Sequence, residues 1–336
     1  MAETTGRYLV LLPDGVTTLG DAVEVYERLG VAVVDALPRT LADGMVVEPE
    51  RVVHAIQDES RATWGLQATN VLVSAYTGAG IKVAVLDTGL DLEHPDFEGR
   101  AITSRSFVSG QEVQDGNEHG THCIGTACGS ADEVPRYGIA GGAEIFAGKV
   151  LSNAGSGSDS QILGGLDWAV ENGCAVASLS LGAPVAAGEG HSTVFETAAQ
   201  RAAAQGTLTT AAAGNNGPEG PVNHPANCPS ILAVAAVDSE LRVADFSARG
   251  LDPDGGAIDL AAPGVNVLST VPMPERYDRF DGTSMAAPHV AGIAALHAEA
   301  NPAVRGLELF ELLKRTARPL EGVPPSDAGA GLVQAP

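Results

Sequence analysis

Asp87, His119 and Ser284 each stand in a glycine-flanked turn, within Val85-Leu86-Asp87-Thr88-Gly89, His119-Gly120-Thr121-His122 and Gly282-Thr283-Ser284-Met285-Ala286. A serine hydroxyl is a poor nucleophile at neutral pH. Acyl transfer through it needs an imidazole to take its proton and a carboxylate to fix the tautomer of that imidazole. The three turns supply one group of each kind. Local roles compete with this chemistry: Asp87 could bond its own backbone as a turn residue, His122 is a rival base, and Ser284 could serve only as a helix N-cap. The conjunction of all three favours the relay.

The relay must be carried by elements that bring remote residues together. Short apolar runs at Ile81 to Leu86, Ile145 to Val150, Ala175 to Leu181, Leu208 to Ala213 and Ile231 to Val237 alternate with helical patterns at Asp159 to Glu171, Thr193 to Ala204, Met285 to Ala300 and Leu307 to Thr316. Continuous apolar strands between helices predict an α/β fold with a mainly parallel sheet covered on both faces. Sites in such sheets lie at the carboxyl ends of strands, and Asp87 directly follows the run Ile81 to Leu86. Ser284 precedes an alanine-rich helix whose N-terminus would direct backbone N–H groups at a developing oxyanion. Pro288 is expected in about the first turn of that helix, where N–H groups lack intrahelical acceptors.

Residues 1–59 differ in character. A strand is predicted from Tyr8 to Leu12, a turn at Pro13 to Gly15, a helix from Asp21 to Leu29, and strands from Val31 to Leu37 and Met45 to Val53. This makes a small α/β unit ahead of a domain spanning 60–336.

Composition narrows the partners. The formal net charge of -23, with three lysines against sixteen arginines, repels phosphate backbones, so no nucleic-acid partner is expected. No apolar run reaches the roughly 20 residues of a membrane span, and the first residues lack the pattern of a secretory signal. Cys123, Cys128, Cys174 and Cys228 show neither a CxxC pair nor metal-type spacing, so reduced thiols and a cytoplasmic enzyme are expected, with export by a route lacking a cleavable signal left open.

From Trp64 onward the chain resembles the subtilisin-like serine peptidases. The chain order Asp, His, Ser is that family's. The resemblance is carried by Asp87-Thr-Gly-Leu-Asp-Leu-Glu-His94-Pro-Asp96, His119-Gly-Thr-His-Cys-Ile-Gly125, Ser180-Leu-Gly182, Ala213-Gly-Asn215 and Gly282-Thr-Ser-Met-Ala-Ala-Pro-His-Val-Ala-Gly292. It implies a three-layer subtilisin-like fold and an endopeptidase that forms an acyl-enzyme on polypeptide substrates without a cofactor for the chemistry. The first histidine of the pair would be the base and His122 a packing residue. Asn215 would donate to the oxyanion. An extended peptide would pair with Gly155-Ser156-Gly157 on one side and Ser180-Leu181-Gly182 on the other.

Asp159 stands where an aromatic often lines the outer subsite, and Asn223 where a glycine often opens the primary pocket, so a preference for large aromatic side chains is not expected. Cys123 resembles the proteinase K-like branch, whose histidine motif carries a cysteine. Asp96 matches a ligand of the family's strong structural calcium site, with Asp132 and loop carbonyls as companions. Residues 1–59 resemble a shortened inhibitory propeptide, an intramolecular inhibitor removed by self-cleavage between Ile56 and Arg61, and a monomer is expected. Two further readings stay open: an autoinhibited peptide-binding scaffold and a processing protease for one precursor.

Overall fold

The computed structural model describes residues 4–13, 16–37, 44–51, 59, 61–186, 188–251 and 256–336. The chain divides into two compact units, residues 1–57 and 58–336.

The first unit contains β1 (Thr4–Leu11), β2 (Ala22–Tyr26), β3 (Val31–Val34) and β4 (Val46–Arg51), joined antiparallel in the order β2-β3-β1-β4. Val10, Leu12, Ala32 and Val34 form its small core. The helix expected from Asp21 to Leu29 is instead strand β2 and a turn. Ala22-Val23-Glu24-Val25-Tyr26 is dense in β-branched and aromatic side chains, and pairing with β3 overrides the weak helical spacing. Among its described residues the unit is all β rather than α/β. Asp14 and Gly15 of the expected turn, and most of the expected cleavage segment, lie outside the described residues.

The second unit is a three-layer α/β fold. Its sheet contains β5 (Lys82–Asp87), β6 (Ile102–Ser106), β7 (Glu144–Lys149), β8 (Val176–Leu179), β9 (Leu208–Ala212), β10 (Leu232–Val237) and β11 (Leu260–Pro263). The order is β11-β10-β9-β8-β5-β7-β6, and every pairing is parallel. A separate antiparallel ribbon joins β12 (Val267–Thr270) to β13 (Tyr277–Phe280).

The helices are α1 (Trp64–Ala68), α2 (His119–Cys128), α3 (Asp159–Glu171), α4 (Thr193–Ala204), α5 (Thr283–Ala300), α6 (Gly306–Thr316) and α7 (Pro325–Ala328). Strand side chains alternate faces, so Val83 and Val85 pack with α2 and α5 in one core cluster while Ala84 and Leu86 pack with Trp168 and Phe195 in another. Both faces are covered, which is why the strands read as largely apolar runs. Helix α5 is buried nearly all round, and its alanines let it lie close against β8, β9 and β10. Each fully buried leucine contributes about 1.5–3 kcal/mol relative to an exposed one. Among the described residues no helix is long and apolar enough to cross a membrane.

Candidate active site

The carboxyl ends of β5, β7, β8 and β9 lead into Asp87, Lys149, Ser180 and Gly214-Asn215. Asp87 closes β5 and is wholly buried. Its Oδ1 accepts from the Thr88 backbone N–H at 2.7 Å and lies 2.8 Å from His119 Nδ1. The carboxylate assigns the proton of a neutral imidazole to Nδ1 and leaves Nε2 as the basic nitrogen. Two glycines permit the approach. Gly89 has φ +114°, and a Cβ there would stand 2.0 Å from the Val113 carbonyl oxygen; one on Gly120 would stand 2.3 Å from that of Gly89.

The start of α2 is capped from outside. Thr88 Oγ1 accepts from Gly120 N–H at 2.8 Å and donates to Asp115 Oδ1 at 2.9 Å. Asp115 Oδ2 accepts from Thr121 N–H at 2.9 Å and from its hydroxyl at 2.7 Å. Thr88 and Asp115 therefore hold the helix that presents His119, a role the sequence signals only by a threonine after Asp87 and an aspartate four residues before His119. Burial disfavours the His119 imidazolium, but the Asp87 carboxylate outweighs it and holds His119 well above the ordinary imidazole range. His122 points elsewhere: it stacks on Phe280 with centroids 4.4 Å apart, its Nε2 lies 2.9 Å from the Val267 carbonyl, and burial pushes its pKa down to about 3.

Ser284 is the second residue of α5. Pro288 is the sixth, deeper than expected, and cannot donate to the Ser284 carbonyl four residues back. That carbonyl accepts instead from Ser180 Oγ at 2.8 Å and Cys123 Sγ at 3.4 Å. Cys123 Sγ also lies 3.9 Å from His119 Nδ1, so one thiol touches both the imidazole and the serine main chain. The Ser284 hydroxyl donates to the Ser180 carbonyl at 3.3 Å, and no bond joins it to His119 among the described residues.

Asn215 Oδ1 accepts from the Thr283 backbone N–H and hydroxyl, both at 2.9 Å. Among the described residues its amide nitrogen has no hydrogen-bond partner, and Asn215, Ser284 and Asn223 line one pocket of about 360 Å³. A second cleft of about 450 Å³ contains His119, Asp159, Gly155-Ser156-Gly157 and Ser180. Leu181 and Gly182 line both. Neither Gly155 to Gly157 nor Ser180 to Gly182 belongs to a strand; both line the cleft, and Gly155, at φ +76°, ends a turn that the Ser152 N–H closes on the Ser156 carbonyl.

The chain matches the subtilase family over residues 78–331. It belongs to that family. This subtilase is 38% identical over 340 residues to M-protease of Shouchella clausii (strain KSM-K16), a match covering 96% of this chain and 84% of that protein. It is 43% identical over 276 residues to subtilisin Savinase of Lederbergia lenta, covering 81% of this chain and 96% of the other. The solved structure of sphericase superposes with a TM-score of 0.71 at 31% identity, covering 82% of this chain and 99% of that one. The subtilase is accordingly a serine endopeptidase of the subtilisin type.

Two expectations need correction in this subtilase. Asp96 does not fit a calcium site. Its Oδ2 accepts from the hydroxyls of Tyr137 at 2.6 Å and Tyr277 at 2.8 Å, and its Oδ1 pairs with the Arg276 guanidinium at 2.7 Å. Proton donors fill the lone pairs a cation would need, and against the cost of burial they hold the carboxyl below its usual range. Asp132 sits exposed in its loop, its N–H bonded to Ser130 Oγ.

The cytoplasmic expectation is also overturned, because homologues such as M-protease and subtilisin Savinase are secreted extracellular subtilisins. All four cysteines are free and buried. Thiols sealed in this way survive in either compartment, so their reduced state carries no information about location.

The subsite substitutions lie at the cleft. Asp159 is exposed at the start of α3, and its Oδ1 lies 3.2 Å from Nε2 of His224, which the sequence did not single out. Asn223 is buried, its side chain beside Gly214 at the pocket floor.

Proposed function

We propose that this subtilase hydrolyses peptide bonds with Ser284 as nucleophile, His119 as general base and acid, Asp87 as the group that orients His119, and Asn215 as oxyanion donor. The observation that carries this is the buried Asp87 carboxylate 2.8 Å from His119 Nδ1, with Cys123 in contact with both His119 and the Ser284 carbonyl. In the first step His119 Nε2 takes the Ser284 proton as Oγ bonds to the substrate carbonyl carbon, whose oxygen becomes an anion beside Asn215 and the Ser284 backbone N–H. His119 then protonates the leaving amine as the C–N bond breaks. Water repeats the sequence on the acyl-enzyme and restores Ser284.

Substrate is held as an added strand between Gly155 to Gly157 and Ser180 to Gly182. Asp159 favours basic side chains at the outer subsite, and Asn223 narrows the primary pocket. The N-terminal unit acts as a propeptide, the enzyme being made as a self-processing zymogen that works as a monomer. Two observations support the propeptide reading: the match to M-protease spans 96% of this chain and so includes most of residues 1–57, whereas the match to subtilisin Savinase spans 81%.

A fluorophosphonate probe should label the purified protein, and Ser284→Ala and His119→Ala should abolish labelling. N-terminal sequencing should find a shorter chain in the wild type and an intact one in Ser284→Ala. Labelling that survives Ser284→Ala refutes the nucleophile, and identical intact N-termini refute the zymogen.

A further inference from the structure

Lys149, one of three lysines in the chain, ends β7 directly opposite Asp87 in the parallel register and is wholly buried. Its ammonium donates to the Thr88 carbonyl and, at 2.7 Å, to Asn153 Oδ1. Both acceptors are neutral. A buried ammonium without a bonded carboxylate costs several kcal/mol unless nearby anions favour it, and the candidates here are Asp115 and Asp87.

We propose that Lys149 is a positioning residue for hydrolysis, fixing the Thr88 peptide between Asp87 and His119, anchoring the turn beneath Gly155 to Gly157, and setting the charge behind the Asp87–His119 pair. The inference rests on the triad reading above and deepens it.

Thr88 is the hub. Its N–H donates to Asp87, its hydroxyl links Asp115 to the first turn of α2, and its carbonyl is taken by Lys149. Asn153, the other acceptor, receives Gly116 N–H on Oδ1 at 3.3 Å and Asn117 Nδ2 on its carbonyl at 3.2 Å. The Ser152 N–H bonds the Ser156 carbonyl at 2.8 Å, closing the turn that carries the substrate edge. One ammonium thus connects the relay to the peptide-binding wall. The titratable groups around the pair are Asp87 on β5, Lys149 on β7, Asp115 before α2, His119, His122 and Cys123 on α2, and His289 on α5 beyond His122. Removing the Lys149 charge leaves the imidazolium less opposed.

The test compares wild type, Lys149→Met and Asn153→Ala across pH on a single-residue ester and a long peptide, with rates divided by active sites titrated with fluorophosphonate. Lys149→Met should raise the acid-limb midpoint of kcat/KM by about half a unit, the order expected when one partly screened charge is removed. Its kcat should fall roughly tenfold, since sub-ångström displacement of a relay is costly. Asn153→Ala retains the charge, so its acid limb should stay in place while KM rises for the long peptide and not for the ester.

A merely structural lysine would lower the number of titrated sites and leave the pH profile per site unchanged; that result overturns the proposal. Should Lys149→Met not fold, Asn153→Ala alone decides, and wild-type constants on both substrates would overturn it. A wild type that fails to take up fluorophosphonate indicts the triad reading instead.

Discussion

Tyr137→Phe isolates one hydrogen bond at the Asp96 cluster. Tyr137 is 2% exposed, and its hydroxyl donates to Asp96 Oδ2 at 2.6 Å while its ring meets Tyr277 edge-on at 5.8 Å. Phenylalanine keeps the ring packing and removes only the donor. A hydrogen bond to a buried charged group is worth about 1.5–3 kcal/mol. At about 2–4 °C per kcal/mol for a domain of this size, Tm should fall by roughly 3–12 °C.

The pH dependence follows from the sign of the Asp96 shift. Its folded pKa lies below the unfolded value, so the stabilisation is present above about 3.8 and is lost as pH falls through the folded value. Losing a donor raises the folded value, and the acid loss should begin at higher pH in the variant. Scanning calorimetry in a Ser284→Ala background, which prevents autolysis, measures both effects with calcium or chelator present. An unchanged Tm refutes the hydrogen-bond argument. A deficit that calcium abolishes would show a cation seat at Asp96 and refute the guanidinium assignment.

Three more outcomes are expected. Asn215→Ala should reduce kcat about 100- to 1,000-fold with little change in KM, the loss known for this family's oxyanion donor; steady-state kinetics on a chromogenic peptide checks it. Because His119 must be unprotonated to act as base and is held above 6.5, kcat/KM should rise with pH through a midpoint above that value, and a pH profile with its midpoint at or below 6.5 contradicts the Asp87 contribution. Cys123 is wholly buried and its thiol pushed up by burial, so mercurials should react slowly but inactivate on reaction, whereas Cys123→Ala should stay active and resist them; activity retained after stoichiometric labelling of Cys123 refutes its contact with His119.

The sheet, its flanking helices and the pairing of Asp87 with His119 were legible because each has a local signature. Helices α3 and α4 have their expected limits because Ser158 forms a capping box with Gln161 and Ser192 caps the Phe195 N–H. Helix α5 begins two residues earlier than expected, taking in Ser284. What was illegible is what arrives from far along the chain. Arg276 reaches Asp96 across 180 positions, and no local motif shows that a guanidinium sits where calcium was expected. Lys149 was visible only as a lysine inside an apolar run. In the N-terminal unit, Asp21 to Leu29 carries both a helical spacing and a strand-like alternation, and pairing with β3 decided between them.

Pro288 bears on any redesign of this enzyme. Replacing a proline inside a helix with alanine is an obvious thermostabilising substitution, worth about 3 kcal/mol by intrinsic preference. Here it would furnish a main-chain donor for the Ser284 carbonyl and compete with the Ser180 hydroxyl and the Cys123 thiol that hold it. A tougher helix would come with a more loosely held Ser284 main chain, so the break in the helical ladder at position 288 leaves that carbonyl to the side chains that fix it.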